Sequence, residues 1–165
     1  MADATHAPGA LIGDIGGTHT RLALCSGGAY GEIAVFRNAE HADLAAIVAV
    51  FLAARGVAAA ALDCRLAVAA PMTGDAVVLT NRSWRISASE LQAHFGFRRV
   101  RLVNDFAAVA LALAALGADA CQALGGGPGD PEAPRLVLGP GTGLGAALWL
   151  PAAGPEFVLA TEAGH

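Results

Sequence analysis

Residues 11–24 have the sequence LIGDIGGTHTRLAL, in which two apolar runs flank a Gly-Gly-Thr turn. This pattern predicts two strands joined by a tight hairpin, and a third run over 32–36 extends them into an antiparallel meander. Asp43 is placed to cap an amphipathic helix that ends before Gly56, because the apolar residues between them recur at helical spacing. A buried strand follows over 64–69. The sequence therefore predicts a domain of the α/β class.

The second half of the chain continues with short elements and a glycine-rich break. Ser87 and Glu90 have the spacing of a capping box, which predicts a short helix. The apolar stretch Phe106–Leu116 has eleven residues, whereas a membrane-spanning helix needs about 20, so a buried helix is predicted there. Further strands are predicted on both sides of the glycine-rich loop 125–131, at 77–79, 100–103, 136–138, 144–150 and 157–161.

Composition excludes several classes of protein. At 165 residues the chain fits one domain of ordinary size and leaves no room for two full lobes. It is 55% hydrophobic and 15% charged, which excludes a disordered chain. The net charge is −4 and the ten cations are all Arg and mostly scattered, so no nucleic-acid partner is expected. The absence of Lys excludes a Walker-type phosphate loop and a protein-kinase site.

Cysteine content and the first residues bear on location. Three widely separated cysteines fit neither a disulfide framework nor a zinc motif. The first ten residues show no basic region followed by an apolar core, so no export signal is predicted. The protein is therefore expected in the cytoplasm, without a membrane partner.

The turn after the first strand combines groups that suit a polyphosphate. Gly16 and Gly17 allow backbone amides to approach an anion closely, and Thr18 adds a hydroxyl donor. Asp14 can orient a hydrated Mg²⁺. A hairpin turn that needs glycine for a positive φ would contain the same pair, so both interpretations stay open.

A second glycine-rich turn, GPGTGLG, lies at 139–145 between two predicted strands. Four glycines in seven residues exceed what a simple hairpin requires, and Thr142 can donate to a phosphoryl oxygen. The two Gly/Thr turns are interpreted as two sides of one phosphate clamp. Glycine-rich hairpins without a ligand are also common, so this pattern alone does not decide the matter.

Two further groups can carry chemistry. Asp105 follows a predicted strand and precedes a helix, where a carboxylate can accept a proton from an attacking hydroxyl while the neighbouring Asn104 binds other hydroxyls. An Asp at this place can equally be a helix cap. Glu162 and His165 place an acid and an imidazole beside a glycine, and the alternative is a terminal segment without a role.

The order of these motifs along the chain resembles that of the bacterial glucokinase family, and the resemblance covers nearly the whole chain. That family belongs to the superfamily of sugar kinases, actin and Hsp70, whose lobes carry a ribonuclease-H-like core. The resemblance implies an actin-like ATPase fold: a small lobe with a mixed five-stranded sheet and flanking helices, plus the first strands of a second, similar lobe. The matching blocks are LIGDIGGTHTRLAL (11–24), AAPMTGDAVVLTNRSWRISASEL (69–91), LVNDFAAVALAL (102–113), LGPGTGLGAA (138–147) and TEAGH (161–165).

The resemblance also implies an activity and assigns roles to residues. The activity is ATP-dependent phosphorylation of glucose at its 6-hydroxyl, the entry step of glycolysis, with Asp105 as the catalytic base. The first phosphate loop would be formed by Asp14, Gly16, Gly17 and Thr18, with Mg²⁺ bound near Asp14 through water. The second would be formed by Gly141, Thr142 and Gly143, and the sugar hydroxyls would be bound by Asn104, Asp105, Glu162 and His165.

The resemblance has consequences for domain organisation. Family members are about twice this length, so the chain is expected to be the N-terminal half of the enzyme. Residues 1–117 would form the small lobe, 118–134 a linker, and 135–165 the start of the large lobe. The family usually has Glu-Gly-Gly-His where this chain has Ala163, which places a methyl group beside the proposed sugar loop.

Two other functions are consistent with the same motifs. One is a noncatalytic sugar-sensing or interaction module that keeps the fold, and the other is a sister hexokinase that acts on another hexose. For the full-length enzyme, the expected partners are glucose and ATP, with a homodimer as the possible assembly.

Overall fold

The computed structural model describes residues 9–79, 83–127, 129–130, 132–140, 144–154 and 157–161. By their internal contacts these residues fall into two compact units, Met1–Val103 and Asn104–His165. Across the described ranges, none of the helices has both the length and the apolar character that crossing a membrane requires.

The first unit is built on a mixed sheet. Strand β1 pairs antiparallel with β2 and parallel with β5, while β8 pairs with β5, and the short strands β6 and β7 form a separate antiparallel ribbon. The bounds of these strands are β1 Ala10–Ile15, β2 His19–Ser26, β3 Ala29–Tyr30, β4 Ala34–Arg37, β5 Asp63–Val68, β6 Ala76–Val78, β7 Arg85–Ser87 and β8 Arg99–Asn104.

Strands β3 and β4 share one edge of the sheet. Both pair with β2, β3 at residues 25–26 and β4 at residues 19–22. The six strands therefore occupy five positions, which confirms the predicted five-stranded mixed sheet. The hairpin between β2 and β3 turns through Gly27 and Gly28, whose φ angles of 58° and 86° lie in the region that favours glycine.

Helix α1 spans Leu44–Arg55 and has the predicted ends. The Asp43 carboxylate accepts a hydrogen bond of 2.8 Å from the Ala46 amide, and Gly56 ends the helix in the left-handed conformation. The helix packs its apolar side chains into the same core as the inward-facing residues of the sheet. Those buried helix residues are Leu44, Ile47, Val48, Phe51 and Leu52.

Helix α2 spans Ala88–Phe95 and begins at a cluster of polar side chains. The Ser87 hydroxyl accepts a hydrogen bond of 3.2 Å from the Glu90 amide, as the capping-box spacing predicts. Asp75 accepts hydrogen bonds from the hydroxyls of Ser89 at 2.6 Å and Ser87 at 2.7 Å. These hydrogen bonds stabilise the ionised carboxylate and lower the pKa of Asp75 below its ordinary value of 3.8.

The cysteines are free thiols in different surroundings. Cys64 is buried in the core of the first unit, and this burial raises the pKa of its thiol to about 12 because the charged thiolate is poorly solvated there. Cys25 is half-buried and Cys121 is exposed. None of the three forms a disulfide.

The second unit consists of a three-stranded antiparallel sheet with one helix packed on it. The strands are β9 Arg135–Pro140, β10 Leu144–Trp149 and β11 Val158–Thr161, with β10 in the centre. Helix α3 spans Asp105–Ala112 and contacts all three strands. The predicted hairpin and the following strand are therefore confirmed.

The prediction that Phe106–Leu116 forms a buried helix is wrong in its burial. Ala110 is fully buried against β10, but Val109 and Leu116 are each about half exposed. The α-helical part ends at Ala112 and continues as a short 3-10 turn. Because apolar residues occupy every position of this stretch, the sequence carries no periodicity that would show which side of the helix is packed.

The compact units and the predicted lobes divide the chain at different places. The units divide between Val103 and Asn104, whereas the sequence ends the first lobe at residue 117 and starts the second at 135. The difference arises because α3 packs on β9, β10 and β11. The lobe boundaries concern the whole protein and remain a proposal.

Candidate active site

The turn between β1 and β2 contains Gly16, Gly17 and Thr18, and the fourth predicted binding residue, Asp14, lies on β1 next to it. The Gly16 amide closes the turn by donating a hydrogen bond of 3.0 Å to the His19 carbonyl. Neither Gly16 nor Gly17 has a positive φ, so the interpretation that these glycines serve a left-handed backbone is wrong. Thr18 is exposed. The turn therefore has the small, accessible character that close approach of an anion requires.

A buried polar network lies directly behind this turn. The Asn38 side-chain amide donates to the Gly16 carbonyl at 2.8 Å, and the Asn38 backbone amide donates to the Thr18 carbonyl at 3.0 Å. The Thr20 hydroxyl donates to the Asn38 side-chain oxygen at 2.9 Å. Both Asn38 and Thr20 have a fractional exposure of 0%. Two carbonyls of the turn are thus tied to one buried side chain and its backbone.

Asp14 is the acidic group of the turn. Its carboxylate and the Arg21 guanidinium form an ion pair of 2.9 Å in which both side chains are half exposed. Among the described residues, His, Cys, Asp and Glu form no cluster of three or more that could hold a metal. Asp14 thus offers one carboxylate, already paired with Arg21, and proteins usually bind Mg²⁺ through one or two carboxylates together with water and substrate phosphates.

Asn104 and Asp105 lie at the start of α3. The Asn104 side-chain oxygen accepts a hydrogen bond of 3.1 Å from the Ala107 amide, so Asn104 is the N-cap of the helix. Asp105 is the first residue of the helix, is partly exposed, and accepts a hydrogen bond of 2.9 Å from the Phe106 amide. The alternative that Asp105 serves as the cap is therefore wrong, because Asn104 occupies that position.

Phe106 packs on the hairpin formed by β9 and β10. Gly139 and Gly145 are directly opposite each other in this pair of strands. A Cβ atom added at Gly139 would lie 2.6 Å from the Phe106 ring, and one at Gly145 would overlap the ring more deeply. Two of the four glycines in the second turn are therefore required by an aromatic ring, not by a phosphate.

The remaining predicted residues cannot be placed. Gly141, Thr142 and Gly143 of the second turn, and Glu162 and His165 of the sugar-binding motif, lie outside the described residues, as does Ala163. The structure brings Asp14 together with Gly16, Gly17 and Thr18 in the first unit. It brings Asn104 and Asp105 together in the second.

Comparison with known proteins decides the family. The family model for glucokinase matches residues 11–165 of this chain. The chain belongs to the glucokinase family. It is 38% identical over 157 residues to the glucokinase of Pectobacterium atrosepticum, and this alignment covers 94% of the chain and 48% of the relative. The chain thus spans about half the length of the curated relatives it matches.

Solved structures of glucokinases have the same fold. The glucokinase from an Antarctic psychrotroph superposes with a TM-score of 0.82 at 32% identity, over 97% of this chain and 52% of that one. The glucokinase of Balamuthia mandrillaris, solved in complex with glucose, superposes with a TM-score of 0.73 at 25% identity, over 99% of this chain and 50% of that one. The predicted actin-like α/β fold is confirmed for this member of the glucokinase family.

Sequence reasoning missed Asn38, Thr20 and Phe106 as parts of the glucokinase turns. Nothing in the sequence distinguishes the buried Asn38 from an exposed asparagine in a loop. The equal spacing of Gly139 and Gly145 from Thr142 is consistent with their pairing across the hairpin, but it does not point to Phe106.

Proposed function

We propose that the protein containing this chain transfers the γ-phosphoryl group of ATP to the 6-hydroxyl of glucose. The observation that carries this proposal is the glucokinase family match over residues 11–165. That range includes the turn at 16–18 and the pair Asn104 and Asp105. Two observations support the same assignment. The turn at 16–18 is accessible and its glycines have no positive φ. Asp105 is the first residue of α3 and does not serve as its N-cap, which is Asn104.

Asp105 is the proposed general base. Its carboxylate takes the proton of the glucose 6-hydroxyl while the hydroxyl oxygen forms a bond to the γ-phosphorus. The bond between that phosphorus and the bridging oxygen breaks, and ADP leaves with the electron pair. Because Asn104 caps the helix, the adjacent carboxylate stays at a fixed place on a rigid element. The products are glucose 6-phosphate and ADP, and the proton then passes from Asp105 to solvent.

The phosphates are bound without lysine in this chain. The amides and the hydroxyl of Gly16, Gly17 and Thr18 are the proposed donors on one side, and Gly141 to Gly143 on the other. Asp14 would hold Mg²⁺ through water. When bound, this ion supplies positive charge that offsets the charge on the phosphate oxygens.

The sugar is the second substrate. Asn104, Glu162 and His165 are the proposed partners of the glucose hydroxyls, since an amide, a carboxylate and an imidazole can each accept or donate to a hydroxyl. Glucose is favoured because the Balamuthia mandrillaris glucokinase was solved with glucose. Turnover measured with glucose, fructose, mannose and N-acetylglucosamine distinguishes this substrate from another hexose.

The test is Asp105→Asn in the full-length protein that carries this chain. Loss of a general base is expected to lower kcat by about 10²–10⁴-fold, while the KM values for both substrates change little. ADP release that depends on glucose measures this rate. Asp119→Asn is the matched control, because Asp119 is an exposed carboxylate elsewhere in the same unit, and its kcat should be unchanged.

Two results would count against the proposal. Full activity of the Asp105→Asn variant contradicts the role of this residue as the base. Binding of glucose by the wild-type protein, without binding or turnover of ATP, favours a noncatalytic sugar-sensing module, and isothermal titration with glucose and then with Mg-ATP distinguishes the two. The proposed location is the cytoplasm, where ATP is available, and the proposed assembly is a homodimer, which sedimentation checks.

A further inference from the structure

We propose that Asn38 is a positioning residue for the phosphate-binding turn at 16–18, acting together with Thr20. This inference rests on the proposed function, because it assumes that the turn binds the phosphates of ATP. It goes beyond that function by assigning the geometry of the turn to a side chain that touches neither substrate.

Three hydrogen bonds connect Asn38 to the turn and to Thr20. Its side-chain nitrogen donates to the Gly16 carbonyl at 2.8 Å, and its backbone amide donates to the Thr18 carbonyl at 3.0 Å. Its side-chain oxygen accepts from the Thr20 hydroxyl at 2.9 Å. The Gly16 carbonyl can only accept, so the nitrogen end of the Asn38 amide faces it, and the Thr20 hydroxyl then donates to the oxygen end.

Planarity of the peptide bond transmits this contact to the ligand side. In a trans peptide the carbonyl oxygen and the following amide hydrogen point in opposite directions, and the described residues contain no cis peptide bond. When Asn38 holds the Gly16 carbonyl, the Gly17 amide is directed away from Asn38. A backbone amide fixed in this way is the type of donor that binds a phosphate oxygen.

Burial makes the arrangement rigid. Asn38 and Thr20 each have a fractional exposure of 0%, so no water replaces a lost hydrogen bond without rearrangement of the surrounding core. Asn38 begins a short 3-10 turn, Asn38–Glu40, directly after β4, and β4 is paired with β2. The network thus ties the turn to two paired strands.

The experiment uses Thr20→Val and Thr20→Ser in the full-length protein. Valine has nearly the shape of threonine but no hydroxyl, so it removes the donor to Asn38, whereas serine keeps it. We expect Thr20→Val to raise the KM for ATP about 5–10-fold, with less than a twofold change in the KM for glucose. Thr20→Ser should restore the wild-type KM for ATP. Asn38→Ala should raise the KM for ATP at least as much as Thr20→Val.

A matched destabilised variant separates positioning from general loss of stability. Ser87→Ala removes the cap of α2 in the same unit and should lower Tm without changing the KM for ATP. Faster hydrogen exchange at the Gly17 and Thr18 amides in Thr20→Val provides a readout that does not depend on activity. Should Asn38→Ala fail to fold, the two Thr20 variants decide.

Failure of this inference can be told from failure of the proposed function. If the wild-type protein phosphorylates glucose and Thr20→Val keeps its KM for ATP, or raises both KM values equally, only the positioning role is overturned. If the wild-type protein binds Mg-ATP without turnover, the proposed function fails and the Kd values of the same variants test the positioning role. If it does not bind Mg-ATP at all, both are overturned.

Discussion

The two glycine-rich turns of this chain look alike in sequence but are held by different contacts. At the first turn, buried hydrogen bonds from Asn38 bind the carbonyls of Gly16 and Thr18. At the second, the Phe106 ring lies against Gly139 and Gly145 on the paired strands β9 and β10. A Cβ added at Gly16 would lie 3.3 Å from the His19 carbonyl oxygen, whereas one added at Gly139 or Gly145 would overlap the Phe106 ring. Glycine content alone therefore does not identify a phosphate loop.

The largest effect is expected for Gly145→Ala. The added methyl group overlaps the Phe106 ring, so the hairpin and α3 must separate, and we expect a loss of about 3 kcal/mol in the free energy of unfolding of the second unit. The chain contains two tryptophans, and in a Trp84→Phe background urea denaturation followed by Trp149 fluorescence measures this loss. Gly139→Ala should cost less, because its contact with the ring is less severe.

A second substitution checks the cause of that loss. If overlap with the ring is responsible, Phe106→Ala in the Gly145→Ala background should recover part of the stability, by a coupling of about 1–3 kcal/mol relative to the sum of the single changes. Strictly additive effects would show that the two residues do not act on each other, and the contrast between the turns would be lost.

An intermediate effect is expected for Asp75→Asn, and it depends on pH. Folding lowers the pKa of Asp75 below its ordinary value of 3.8. The ionised carboxylate therefore stabilises the folded state at pH values above 3.8. This contribution is lost as the pH falls through the lower folded-state pKa. The variant should therefore melt below the wild type at pH 7, and the gap in Tm should narrow as the pH falls below 3.8 and close below the lowered pKa of the folded state.

The pH dependence sharpens the contrast between polar and apolar contacts. In a Ser89→Ala background, the Tm difference between the protein with Asp75 and its Asp75→Asn variant should be much smaller, because the Ser89 hydroxyl contributes most to the lowered pKa of Asp75. In a background of Ser83→Ala, which changes an exposed serine, the difference should be unchanged. The contact of Phe106 with the two glycines contains no titratable group, so the loss in Gly145→Ala should be the same at pH 7 and pH 5. A loss that varied over this range would contradict a purely steric cause.

The smallest effect is expected for Gly16→Ala. The φ of Gly16 is not positive, and an added Cβ would lie 3.3 Å from the His19 carbonyl oxygen, so a shift of a few tenths of an ångström accommodates it. We expect a change of less than about 1 kcal/mol in the free energy of unfolding, measured by thermal denaturation at pH 7. A loss as large as that of Gly145→Ala would show that the first turn is also limited by steric packing.

Local signals in the sequence predicted much of the fold. Asp43, Gly56 and Ser87 mark helix ends by chemistry that acts over three or four residues, and the structure has these ends at the predicted places. The pairing of β4 with β2 agrees with the predicted meander, whereas the two-residue strand β3, which pairs with the same strand, was not predicted because so short a strand has no alternating pattern. The burial of α3 was overestimated, since its stretch is apolar at every position.

The candidate site divides in the same way. Motif residues such as Asp14 and Asp105 could be found because their chemistry is visible in their type and spacing. Asn38 could not, because its importance comes from complete burial beside Gly16, and burial of a single polar residue leaves no pattern in the sequence. Gly13 of the same motif has a packing role that the sequence does not show. A Cβ at this position would lie within 2.8 Å of the Leu22 and Leu66 side chains.

The contact of Phe106 with two facing glycines also bears on how this region can change in evolution. A larger residue at 139 or 145 is tolerated only after the ring at 106 has been replaced, and a smaller residue at 106 leaves a gap until one of the glycines gains a side chain. The three positions therefore form one unit of substitution. Because Phe106 directly follows Asp105, drift in the hairpin is constrained by the residue next to the proposed base.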